Sequence, residues 1–159
     1  MSAGLGLDAW MGTAVESLAE TASTSLGLAP TQVVAESEAL PHGLVGSTIP
    51  LVADRAVQLG LFATSQGCED LARLLLGMGP DDGPLAEPDV ADGMGEILNI
   101  LAGVMKRHMA NKGASLSIGL PMFVHGYIEQ GGSKKARTAS LKLGDHEAQL
   151  FILGSIPQH

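Results

Sequence analysis

The sequence predicts an α+β fold, a largely antiparallel sheet packed with about three helices. Apolar residues recur at helical spacing in three separate stretches. Stretches of alternating apolar and polar character lie next to one another rather than between helices, so the strict strand–helix alternation of a parallel sheet is missing. The 159 residues show no compositional break or internal repeat, and one domain over 1–159 is expected.

Asp8 is placed to cap a first helix in which Trp10, Ala14, Val15, Leu18 and Ala22 share one side. Gly27 and Pro30 stop it. Residues 31–37 (TQVVAES) form a strand, and 44–53 and 56–65 form two more, joined tightly at Asp54-Arg55. Pro50 has no N–H to donate, which points to an edge or a bulge there. In the second helix, CEDLARLLLGMG, Thr64 or Ser65 is the cap, Glu69 and Asp70 occupy the first turn, and Leu71, Leu74, Leu75 and Met78 line one face. Gly77, Gly79 and Pro80 end it, and an acidic connector, PDDGPLAEP, leads to a third helix that closes at Asn111-Lys112-Gly113. Alternation then returns over 115–126, 136–144 and 147–156, three strands with Gly-containing turns. Lys134, Lys135 and Arg137, after Gly131-Gly132-Ser133, read as a solvated hairpin tip.

Apolar residues make up 45% of the chain but aromatics only 3%, so Leu, Ile, Val, Ala and Met must build the core. A net charge of −8 argues against a nucleic-acid partner, which calls for a concentrated basic face. The single cysteine, Cys68, cannot form an internal disulfide and reads as a buried, unreactive thiol. The first residues lack the basic and continuously apolar regions of a secretory signal. No apolar run reaches the roughly 18 residues of a membrane span. A cytoplasmic protein is therefore expected.

The third helix, around DVADGMGEILNILAGVMKRHM, has two unlike faces. Val90, Met94, Ile97, Leu98, Leu101, Val104, Met105 and Met109 fall together with His108 and face the core. Asp92, Glu96, Asn99 and Gly103 form a narrow opposite stripe. A solvated helix face accounts for an acid and an amide at this spacing, and the spacing alone favours that account. The glycines count against it, because each in a helix interior costs roughly 0.8–1.0 kcal/mol relative to Ala, and Gly95 and Gly103 flank the stripe where Ala would serve. Bare backbone beside a short amide suits a surface that another macromolecule approaches closely. Glu and Asn are a poor nucleophile set, but a carboxamide both donates and accepts hydrogen bonds. It can hold a water against an electrophile, and phosphoryl transfer needs little beyond such positioning and charge stabilisation.

Asp92-x-x-x-Glu96-x-x-Asn99, with Pro121 in the following strand, resembles the D/S-xxx-E-xx-N…P signature of the CheC/CheX/FliY chemotaxis phosphatases. The resemblance extends over most of the chain: the N-terminal helix, the Gly-containing strand pair, the helix ending LLGMG, NILAGVMK and IGLPMFVHG. CheC-type members are expected to carry the helix motif twice. Here Glu16 is followed three residues later by Ala19 rather than Asn, so the single copy is similar to the CheX type. The resemblance implies a phosphatase of a phosphorylated CheY-type response regulator. Asn99 would orient the attacking water and Glu96 would pair with the regulator's active-site lysine. Asp92 would support the helix start or the docking surface, and Pro121 would shape its strand. It further implies a homodimer formed through the sheets, no cofactor bound by this chain, and Mg²⁺ held by the partner regulator. The alternative is a non-catalytic interaction module or flagellar-switch-type adaptor that binds a receiver domain.

Other motifs fail on their own terms. Gly93-Met94-Gly95 has Leu98 where a dinucleotide loop needs Gly, and no strand precedes it. The five histidines show no ligand spacing, and no serine sits in a G-x-S-x-G elbow. Methionines at helical spacing read as core filling.

Overall fold

The computed structural model describes residues 6–126, 128 and 131–155. In chain order they form α1 (Leu7–Thr21), continued by a π-helical turn over Ala22–Leu26, then β1 (Thr31–Ser37), β2 (Val45–Val52) and β3 (Ala56–Ala63). Two helices follow, α2 (Ser65–Leu75) and α3 (Glu87–Asn111), and then β4 (Ser117–Ile118), β5 (Met122–Val124), β6 (Lys134–Leu143) and β7 (His146–Ser155). The strands make one antiparallel sheet in the order β1-β6-β7-β3-β2-β4, with β5 also paired to β2. The α+β architecture expected from the sequence is the one observed.

The helices lie on one sheet face. Trp10, Ala14 and Leu18 of α1, Leu71 of α2 and Met94, Ile97, Leu98, Leu101 and Met105 of α3 share a core with Ile49, Leu51, Leu59, Leu61, Leu150 and Ile152. Fully burying an aliphatic side chain of this kind stabilises by roughly 1.5–3 kcal/mol. The other face holds a smaller cluster, Phe62, Phe151, Ala136 and Leu153, with the two rings edge to face at 5.2 Å.

Several details differ from the sequence expectation. Gly6 occupies the N-cap of α1, and Asp8 lies inside the first turn, where its carboxylate accepts from Arg137 at 2.8 Å. That bond raises the Arg137 pKa. Arg137 also meets Glu38 at 3.3 Å, so the basic cluster begins strand β6 instead of a hairpin tip, with Lys134 and Lys135 exposed. Thr64 is the cap of α2, its Oγ1 accepting from the Gly67 N–H at 2.9 Å, and Glu69 and Asp70 fall beyond the first turn. His108 is half-buried between α1 and α3, within 3.9 Å of Glu16 and 3.7 Å of Glu20. The expected end of the last strand at Ile156, and His159, lie outside the described residues.

The expected strand over 115–126 is two short strands. Both pair with β2, Leu51 opposite Ile118 and Thr48 opposite Met122, and the break between them faces Pro50. Gly119 donates its N–H to the Pro50 carbonyl at 2.9 Å, so close that a Cβ on Gly119 would lie 2.4 Å from Pro50 Cγ. Pro50 has no N–H with which to continue the ladder. It therefore interrupts the neighbouring strand without breaking its own.

Candidate active site

Helix α3 spans 25 residues and starts cleanly, with Pro at its beginning and Glu87 and Asp89 in its first turn. Val90, Met94, Ile97, Leu98, Leu101, Met105 and Met109 are buried, whereas Asp92, Glu96, Asn99 and Gly103 are all exposed. The stripe expected from the sequence is a real surface. Neither the Glu96 nor the Asn99 side chain makes a hydrogen bond or ion pair with any described residue. Both side chains are thus free to engage another molecule.

The glycines sort into two kinds. A Cβ on Gly93 would lie 2.7 Å from Ala72 Cβ, so bare backbone there seats α2 against α3. A Cβ on Gly95 would lie 3.3 Å from Pro121 Cγ, and Gly95 is buried beneath that ring. The close approach at Gly95 comes from within the chain. Gly103 is exposed and has nothing within 4 Å of its Cβ position. Among Gly93, Gly95 and Gly103, it alone is left bare by the fold.

Pro121 and β5 form the other wall of a depression of about 300 Å³ beside the stripe. Asp92, Glu96 and Asn99 line it from the helix, Pro121 and Phe123 from the strand, and Ser47 of β2 from below. Ser47 and Phe123 escaped the sequence reading. The signal for Ser47 was present, a small hydroxyl in the core-facing phase of Ile49 and Leu51. Leu120 and Met122, on either side of Pro121, are 85% and 66% exposed and make an apolar shoulder next to the acid and the amide.

A neighbouring recess of about 270 Å³ shares Phe123 and is lined by Cys68, Glu87 and His125. His125 and Glu87 are paired at 3.0 Å, and the Phe123 and His125 rings pack edge to face at 4.8 Å. Cys68 donates to the Val45 carbonyl at 3.4 Å, and burial pushes its pKa up to about 11. A protonated thiol is a poor nucleophile. A wider recess of about 470 Å³ between α1 and β1 is lined by Glu36 and by Arg137, which is paired with Asp8 and Glu38. Among the described residues no group of three or more His, Cys, Asp or Glu is placed to hold a metal ion. No described helix is long and apolar enough to cross a membrane.

The sequence model of a family described as chemotaxis phosphatase CheX matches residues 45–138, from β2 through the stripe into β6. Compared with curated proteins by sequence, the chain matches none. Among solved structures it is similar to a chemotaxis protein CheX from Desulfovibrio desulfuricans, with a TM-score of 0.74 and 16% identity over 89% of this chain and 95% of that one. CheX from Vibrio vulnificus gives a TM-score of 0.71 and 20% identity over 90% and 97%. The CheX-CheY-BeF3-Mg²⁺ complex from Borrelia burgdorferi gives 0.70 and 16% over 91% and 96%.

Proposed function

Because the chain belongs to the CheX family of chemotaxis phosphatases, we propose that it dephosphorylates a CheY-type response regulator, acting as one cytoplasmic domain over residues 1–159. A water oxygen bonds to phosphorus as the bond to the regulator's aspartyl oxygen breaks, which yields the free carboxylate and inorganic phosphate. Asn99 orients that water for in-line attack, and Glu96 pairs with the regulator's active-site lysine. Mg²⁺ is held by the regulator, and this chain supplies no cofactor. The solved CheX-CheY-BeF3-Mg²⁺ complex of a structurally similar CheX supports the choice of a CheY-type partner and of Mg²⁺ as a component of the assembly.

One observation carries the reading. Glu96 and Asn99 stand exposed on one helix face, beside an open depression, with no partner among the described residues. An anchor and a water-holder must be free in this way. Asp92 and Gly103 extend the surface on which the regulator docks. Gly95 contributes by letting Pro121 close against the helix, which sets the apolar shoulder of Leu120 and Met122 beside the catalytic pair. The protein acts as a homodimer, its second copy pairing along β1. That strand ends the sheet order and exposes Val33 and Val34.

The test is decay of radiolabelled phosphoryl groups on a panel of phosphorylated receiver domains. Asn99→Ala stays folded and loses about 10²–10³ in rate, as expected for one transition-state hydrogen bond, equivalent to about 2.7–4 kcal/mol. Glu96→Ala chiefly raises KM, because it removes an anchor. Equal decay beside wild type and Asn99→Ala removes Asn99 from the mechanism. Receiver binding without faster decay supports the adaptor instead.

A further inference from the structure

Lys106 lies on α3 seven residues beyond Asn99. Seven residues carry an α-helix through nearly two full turns, so Lys106 falls about 20° from Asn99 around the axis and about 10 Å further along it. It is exposed, and among the described residues it meets no acid. Its own helix offers none, since Ala102, Gly103, Met109 and Ala110 occupy the positions three and four residues away. Arg107, the next residue, is by contrast paired with Glu20 of α1. The last turn of α3, where a cation would favour the helix dipole, holds His108 and begins beyond Lys106. Between Asn99 and Lys106 the bare Gly103 is the only exposed residue.

The stripe is therefore bipolar. Asp92 and Glu96 place negative charge at one end and Lys106 places positive charge at the other, with the amide between them. Glu96 and Lys106 stand about 15 Å apart along the axis, beyond the roughly 8–10 Å Debye length, so neither cancels the other. Resting on the reading of Glu96 and Asn99 as the pair that meets a Mg²⁺-holding regulator, we propose that Lys106 is a docking residue that sets the regulator's orientation. A Mg²⁺ site is built from carboxylates, and the acidic surface around it repels a chain of net charge −8. Lys106 supplies the attraction on this face, meeting an acidic group of the regulator while Glu96 meets its lysine. A regulator turned end for end brings like charges together at both ends of the stripe and is disfavoured.

Steady-state and single-turnover decay of phosphorylated receiver are compared for wild type, Lys106→Gln, Lys106→Glu, Lys106→Arg and Asn99→Ala, at low and high salt, with thermal melting of each. We expect KM to rise about two- to fivefold in Lys106→Gln, as for one exposed ion pair, and further in Lys106→Glu. Lys106→Arg keeps the wild-type KM, and kcat and Tm stay unchanged in all three. At about 1 M salt, where the Debye length falls to about 3 Å, the KM of Lys106→Gln converges on that of wild type. A lysine that only solvates the helix gives a wild-type KM in Lys106→Glu at every salt concentration, and that result overturns the proposal. So does a loss that is carried by kcat, shared by Lys106→Arg or indifferent to salt. No acceleration by wild type refutes the phosphatase reading, and this proposal falls with it. Acceleration lost in Asn99→Ala but kept, with wild-type KM, in Lys106→Glu refutes the Lys106 role alone.

Discussion

Substituting the glycines of α3 one at a time separates packing from docking. At Gly103 an added methyl meets nothing within 4 Å, so only the backbone responds. Gly103→Ala should gain about 0.8–1.0 kcal/mol from helix propensity. In a chain of this size that raises Tm by roughly 2–4 °C. At Gly93 the methyl would lie 2.7 Å from Ala72 Cβ and 3.3 Å from Ala72 Cα, well inside the normal carbon–carbon separation, so α2 or α3 must shift. Overpacking of this kind costs about 1–3 kcal/mol. Set against the same propensity gain of about 0.8–1.0 kcal/mol, Gly93→Ala should be destabilised by up to about 2 kcal/mol. Urea denaturation with a shared m-value measures both. The activity assay then asks what stability cannot. If Gly103 faces the regulator, its alanine variant is more stable yet binds phosphorylated receiver less tightly, with KM raised and kcat retained. A stabilised Gly103→Ala with unaltered KM would show that no partner touches this turn, and the docking surface would shrink to the stretch from Asp92 to Asn99.

Other expectations follow from single contacts. Thr64→Ala removes the α2 cap and should cost about 0.5–2 kcal/mol, read from the urea midpoint. Burial pushes the Cys68 thiol up to about 11 in the folded chain, against 9.0 for an unburied thiol, so the folded state binds the extra proton between those values. Its contribution to stability is present below pH 9 and lost as pH rises towards 11, and a Cys68→Ala control should show a flatter decline in that window. At neutral pH the native thiol should react with a thiol-specific disulfide reagent far more slowly than the denatured chain. Val34→Lys places a charge on an exposed edge position and should shift the elution of a dimer to that of a monomer on a calibrated column. An unchanged dimer moves the interface away from β1.

The sequence disclosed the elements more readily than their interruptions. Helix α3 was legible because its apolar positions repeat over many turns, and the same periodicity placed Asp92, Glu96, Asn99 and Gly103 outward. The strand break at Gly119 was not legible, since alternation continues through it. Its cause lies about seventy residues upstream, in a proline that becomes a neighbour only after β2 pairs. The purpose of Gly95 was hidden for a similar reason. Bare backbone in a helix announces that something comes close, and only the tertiary fold reveals that Pro121 of the same chain is what does. Asp8 has the chemistry of a cap but binds Arg137 across the fold, a pairing that local sequence does not encode. Ser47 was readable in principle as a lone hydroxyl within an apolar phase, whereas its place beneath α3 depends on how the helix lies on the sheet.

Two side-chain-free positions seat α3, Gly93 on Ala72 and Gly95 on Pro121, one toward the neighbouring helix and one toward the broken strand. Backbone held directly against its neighbours has no rotamers through which to slide or roll. The segment that presents Glu96 and Asn99 is accordingly preorganised before any encounter, and little internal freedom remains for association to freeze out. If response regulators are what docks on α3, discrimination among them rests on whether their surfaces match a template already set by these contacts.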